Sequence, residues 1–147
     1  MASATILVAI DFGEMTAAVV AAAVEQARGL GNDLQFLYVV EDLSRFTALS
    51  VPHISLDEVE REMQQSAQGK MAKLLEEHRA DGVKMSGAVG VGKAAEQIVA
   101  MAKQSGAPLI VMGTHSYSGI EKMVLGSVAE KVLRTAPCSV LVVKGGR

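Results

Sequence analysis

The chain has 147 residues, 50% of them hydrophobic and 20% charged, which suits one globular domain with one substantial core and excludes a disordered chain. A net charge of −2 with no basic block or aromatic-interleaved stripe argues against nucleic acid or an anionic membrane as partner. The single cysteine, Cys138, excludes an internal disulfide and a cysteine metal cluster, and a reducing compartment is the simpler reading.

Residues 5–10 (TILVAI) form the first predicted strand. No basic region precedes this run and acidic Asp11 follows at once, so it does not read as a signal peptide. Residues 14–28, Ala- and Val-rich nearly all round, predict the first helix, stopped by Gly29 and Gly31. Its longest apolar run, residues 17–24, is far too short to span a bilayer, and a soluble cytoplasmic protein is expected. Residues 34–40 (LQFLYVV) are the second strand, and residues 41–54, which include Pro52, read as an irregular connection.

The second helix opens at Ser55-Leu-Asp-Glu58, a capping box. Leu56, Val59, Met63, Ala67, Met71, Leu74 and His78 then recur at helical spacing until Asp81-Gly82. The third strand is placed at residues 83–89, and the third helix at 93–104, closed by Gly106 and Pro108. Residues 109–112 are the fourth strand. After the long connection 113–125, Ser127-Val-Ala-Glu130 reads as a second capping box, opening a helix that ends before Pro137. Ser139–Val143 (SVLVV) is the fifth strand.

Several of these strands are apolar without alternation, a pattern of burial on both faces. Together with the βαβαβ rhythm it predicts an α/β fold: a single-domain, doubly wound parallel sheet with right-handed crossovers. Three Phe, two Tyr and no Trp leave the core to aliphatic side chains, and the eight methionines read as core filling.

Ligands of open parallel sheets bind beyond the carboxyl ends of the strands. There the sequence places Asp11-Phe-Gly13, Glu41-Asp42, Gly90-Val-Gly92-Lys93 and Gly113-Thr-His-Ser-Tyr-Ser-Gly119, with Gly126-Ser127 entering the fourth helix. Glycines let a backbone come close to a phosphate, and a helix N-terminus offers it unpaired N–H groups. Ser127 either adds a hydroxyl to such a site or caps its own helix with Glu130; the residues alone leave both open. Asp11 likewise either faces a ligand or caps the first helix, with Glu14 three positions on.

Other motifs carry less. Gly90-Val-Gly92-Lys-Ala-Ala95 matches the dinucleotide fingerprint but lacks the acidic residue some twenty positions on, and Ala94 fills the Ser/Thr position of a P-loop. One Asp after the first strand is not the acid cluster of a phosphoacceptor site. His53, His78 and His115 are scattered, with no metal spacing and no catalytic relay, and His78 reads as a helix-end residue. Cys138, at the start of a buried strand, reads as an inert thiol.

Gly113-Thr-His-Ser116, nine further residues, and then Gly126-Ser-Val-Ala-Glu-Lys-Val-Leu-Arg-Thr-Ala-Pro-Cys-Ser-Val-Leu-Val-Val143 resemble the C-terminal signature of the universal stress protein family. Val8-Ala-Ile-Asp11, Tyr38-Val-Val-Glu41 and Gly92-Lys-Ala-Ala-Glu-Gln-Ile98 are similar to that family's first strand, second-strand end and third-helix entry. The resemblance implies a five-stranded sheet of order 3-2-1-4-5 with four helices, and a cytoplasmic homodimer paired through Ser139–Val143. It implies a regulatory module that binds ATP or another adenine nucleotide, with or without Mg, and reports to a regulatory protein partner. By the same resemblance Ala9 belongs to the nucleotide-binding set, Asp11 meets the ribose, the Val39 backbone the adenine edge, and Met112 and Gly113 the base and ribose. Ser116, Gly126, Ser127 and Val128 hold the phosphates. Any hydrolysis would be slow and incidental, because no general base is evident in the sequence.

The chain departs from the nucleotide-binding pattern at four positions. Ser116 stands where the binding signature has Gly, Tyr117 where relatives often carry a basic residue (Lys122 being the nearest substitute), Gly13 for a usual Ser and Ala94 for a common Pro. Ser116 and Tyr117 motivate the alternative expectation, a member that binds no nucleotide and acts as a dimeric interaction module.

Overall fold

The computed structural model describes residues 3–42, 55–114 and 125–144. Five parallel strands, β1 (Thr5–Ala9), β2 (Asp33–Glu41), β3 (Met85–Gly92), β4 (Leu109–Gly113) and β5 (Ser139–Val143), form one sheet in the order β3-β2-β1-β4-β5. Helices α1 (Thr16–Leu30), α2 (Leu56–Glu77), α3 (Ala94–Ser105) and α4 (Ser127–Thr135) alternate with them. Among the described residues no helix is long and apolar enough to cross a membrane.

The period-2 alternation of a strand sorts these apolar runs onto two faces. Ile6, Val8, Phe36 and Val111 point to one face and pack with Val19, Val20 and Ala23 of α1 and Met71 and Leu74 of α2. Leu7, Leu37, Ile110 and Met112 point to the other, against Ile98 and Val99 of α3 and Ala129 and Val132 of α4. Phe36 and Ile6 are fully buried, and burying a side chain of this kind stabilises the fold by about 1.5–3 kcal/mol. The absence of alternation is thus explained for β1, β2 and β4, which have helices on both sides. The prediction overreached for β5, where Ser139 is exposed and the four following residues are only half-buried, because that strand pairs with β4 alone. Cys138 consequently precedes a half-buried strand rather than a buried one.

Helix ends follow local chemistry, with three corrections. The Glu58 N–H donates to Ser55 Oγ at 3.3 Å as the capping box requires, and α1 and α3 close on left-handed glycines, Gly31 (φ 68°) and Gly106 (φ 65°). The box expected at Ser127 does not form. Gly126 is the N-cap and Ser127 the first helical residue, with no side-chain cap bond, and the Glu130 N–H donates to the Gly126 carbonyl at 3.0 Å. Nor does Asp11 cap α1: the helix begins at Thr16, two positions later than expected, behind an uncapped Met15. The α-helical part of α2 stops at Glu77, and a 3₁₀ turn, Arg79–Asp81, carries the chain to Gly82. There His78 Nδ1 lies 2.9 Å from Asp81 Oδ2, which ties off the helix end.

The third strand also shifts, from the expected 83–89 to Met85–Gly92. Gly90 and Gly92 are poor strand formers by themselves. They are held in the strand because β3 pairs with β2 over its whole length, from Leu34↔Met85 to Glu41↔Gly92, with Gly92 at a φ of 140° that favours glycine. Gly87 lies under α2 so closely that an added Cβ would sit 2.5 Å from Met71 Cγ.

Candidate functional site

A cleft of about 760 Å³ opens along the carboxyl edge of the sheet. Ala9, Asp11, Val39, Met112, Gly113, Gly126, Ser127 and Val128 all line it. These eight residues span the chain from β1 to α4, and the parallel sheet brings them together because every strand delivers its end to the same edge. Ser116 lies outside the described residues, as do His53, His115, Tyr117 and Lys122.

One end of the cleft is made of backbone. Gly126 is extended (φ −77°, ψ 168°) ahead of α4, and the N–H groups of Ser127, Val128 and Ala129 have no intrahelical acceptor. They carry the positive end of the helix dipole into the cleft. The turn is anchored from β4: the Gly126 N–H donates to the Thr114 carbonyl at 2.6 Å, and the Thr114 N–H to the Val143 carbonyl at 3.1 Å. Buried Thr114 also directs its hydroxyl at Met15 Sδ, 3.6 Å away. Gly113 packs closely here, since a Cβ would lie 3.1 Å from that same sulfur.

The turn after β1 holds a second feature. Asp11 Oδ1 accepts the Gly13 N–H at 2.8 Å, an Asx-type turn around Phe12, whose φ of 60° is costly for a bulky side chain. The Phe12 ring packs on Tyr38, centroids 4.9 Å apart, under the Lys70 ammonium at 5.9 Å. This packing holds the strained turn in place. Asp11 Oδ2, by contrast, is buried with no hydrogen-bond partner, and so is Thr16 Oγ1 at the start of α1.

The opposite wall is built from side chains: Tyr38, Glu41 and Asp42 from β2 and its end, Lys93 and Ile98 from α3 and its entry. Gln97 packs its amide against Gly90 and Gly92, within 3.1 Å of where either Cβ would stand. The glycine turn near the fingerprint-like motif therefore makes room for Gln97.

Sequence reasoning missed Met15, Thr16, Val19 and Met63 as cleft residues. Reading Met15 and Met63 as core filling explains two of these misses, and Met63 is in fact 37% exposed. The usable signal was the position of Met15, Thr16 and Val19, at i, i+1 and i+4, directly after a turn already singled out. Burial pushes the Cys138 thiol above its ordinary pKa, which favours the unreactive form. Among the described residues no three His, Cys, Asp or Glu side chains converge as metal ligands.

Comparison with known proteins fits this geometry. The family described as the universal stress protein family matches residues 3–144. Universal stress protein YxiE of Bacillus subtilis is 34% identical over 143 residues, 94% of this chain and 97% of that one. The solved structure of the universal stress protein UspA from Lactobacillus plantarum aligns with a TM-score of 0.74 at 27% identity, covering 97% of this chain and 99% of that one. A universal stress protein from Archaeoglobus fulgidus in complex with dAMP aligns with a TM-score of 0.70 at 20% identity, covering 98% of this chain and 100% of that one. A match that runs through both the first strand and the last leaves one assignment: the chain belongs to the universal stress protein family.

Proposed function

We propose that this protein is a cytoplasmic regulatory module that binds ATP or a related adenine nucleotide in the cleft, as a single-domain homodimer paired through β5. The observation that carries the reading is the polarity of the cleft. The first turn of α4 presents backbone N–H groups suited to an anion. Val39, Met112 and Ile98 line an apolar slot for a base, and Asp11 lies beyond with an unsatisfied oxygen. Phosphate, base and sugar each have a matching chemistry. The dAMP complex of the Archaeoglobus fulgidus protein supports the same ligand class.

In this reading Asp11 meets the sugar, Ala9 lines the site beside it, and the Val39 backbone meets the adenine edge. Met112 and Gly113 lie against base and sugar, while Gly126, Ser127 and Val128, with Ser116, meet the phosphates. Mg would arrive with the nucleotide. The open backbone of half-buried β5 supports a second copy as its cover, and a regulatory protein would read the loaded dimer.

The test is a thermal melt of the purified protein with ATP–Mg, AMP and cyclic AMP, repeated on Gly126→Asp. Ligand at a hundred times its dissociation constant adds about 2.7 kcal/mol, about 5–10 °C for a chain of this size. Aspartate is a good N-cap, so the variant keeps its fold while placing a carboxylate where the phosphate would sit. A shift present in the natural protein and lost in Gly126→Asp supports the reading.

A second reading, a dimeric interaction module without nucleotide, is favoured by Ser116 in the glycine position of the binding signature. The acids Asp11, Glu41 and Asp42 on the cleft wall, against Lys93, also oppose a highly charged phosphate chain. No shift with any nucleotide, in protein free of copurified ligand, selects it.

A further inference from the structure

Two polar atoms in the described part of the molecule are buried without a partner, Asp11 Oδ2 and Thr16 Oγ1, and both residues line the same cleft. Buried polar groups are normally satisfied, and other hydroxyls of this chain show how. Ser105 Oγ donates to the Met101 carbonyl at 2.8 Å and Thr135 Oγ1 to the Lys131 carbonyl at 2.7 Å, each bonding back one helical turn. Thr16 has no such recourse. It is the first residue of α1, and four positions back stands Phe12, whose φ of 60° takes the backbone out of helical geometry. Nor do Asp11 and Thr16 satisfy each other, since each of the two atoms is without a partner.

A carboxylate oxygen only accepts, whereas a threonine hydroxyl both donates and accepts. The chemistry that completes both is a ligand hydroxyl, able to donate to Asp11 and to accept from Thr16. We propose that Thr16 is a specificity-determining residue that reads the sugar hydroxyls of the bound nucleotide, selecting a ribonucleotide over its deoxy counterparts. The inference rests on the adenine-nucleotide reading above and extends it to a residue on α1. Asp11 supplies the charged acceptor, and Thr16 supplies the donor that a deoxy sugar leaves unmatched. A site with such buried groups discriminates strongly, because the analogue lacking the hydroxyl leaves them unpaired.

The experiment is calorimetric titration of the natural protein, Thr16→Val and Thr16→Ser with ATP–Mg and AMP, each beside its 2′-deoxy and 3′-deoxy analogue. The natural protein is expected to bind the ribonucleotide about tenfold or more tightly than at least one deoxy analogue. Thr16→Val, of the same shape, removes most of that gap, and Thr16→Ser, which keeps the hydroxyl, retains it. A natural protein without the gap, or a Thr16→Val variant that keeps it while still binding, overturns the inference and leaves nucleotide binding standing. Absence of binding by any nucleotide to the natural protein overturns both.

Discussion

The two walls of the cleft are built by different means. Along β1, β4 and α4 the wall is mostly backbone: the Asp11–Gly13 turn, Gly113 against Met15, and the N-terminus of α4. Along β2 and α3 it is side chain: Tyr38, Glu41, Asp42, Lys93 and the buried Leu37 beneath them. Backbone donors are fixed by the fold and cannot be moved by rotamer changes, so they suit the invariant part of a ligand, its phosphate. Exposed side chains can be exchanged more easily than backbone, and Glu41, Asp42 and Lys93 set the charge of that wall.

The difference can be broken at several places. Leu37 is 1% exposed and joins the cleft floor to the α3–α4 core. Leu37→Ala should destabilise the protein by about 2–5 kcal/mol, read as a lower urea midpoint at unchanged slope. A cost under about 1 kcal/mol would mean that the side-chain wall is not part of the core. Next comes Gly126→Asp, which should remove the nucleotide-dependent gain of about 2.7 kcal/mol and leave the melting point of the ligand-free protein unchanged or slightly higher. A variant that still responds to nucleotide would move the phosphate away from α4.

Smaller effects sharpen the contrast. Gly113→Ala pushes a methyl group against the flexible end of Met15, and a cost of about 1 kcal/mol is expected in chemical denaturation. A loss of 3 kcal/mol or more would show that Met15 cannot yield and that the backbone wall is rigid through its side-chain neighbour. On the opposite wall, Glu41→Gln and Asp42→Asn should tighten ATP binding by about two- to threefold at low salt. The gain should fade as salt is added. If it persists at high ionic strength, those residues act by contact with the ligand and not through their charge.

Much of this was readable from residue order. Parallel strands bring their ends to one edge, so Asp11, Glu41, Gly113 and Gly126 could be placed together from strand order, whereas Ala9, Val39 and Met112 came from the family resemblance. What was missed was missed for stated causes. Ser127 and Glu130 have the spacing of a capping box, but the preceding Gly126 already supplies an extended N-cap residue, so the box had nothing to cap. Asp11 and Glu14 have it too, yet the Asx-type turn captures the Asp11 carboxylate first. β3 begins two residues and ends three residues later than expected because pairing with β2 holds Gly90 and Gly92 in the strand. Met63 sat on the expected helical stripe, but its position along α2 carries it to the cleft mouth.

By itself the sequence determined the element types, their alternation, the two-faced apolar strands and the edge at which a ligand would lie, because these follow from short-range periodicity and chain polarity. The tertiary structure alone decided which polar atoms stay unsatisfied, how closely Gly87 and Gly113 meet their methionine neighbours, and that β5 is left half-covered. Those outcomes depend on which elements meet across the sheet, and local periodicity carries no information about that.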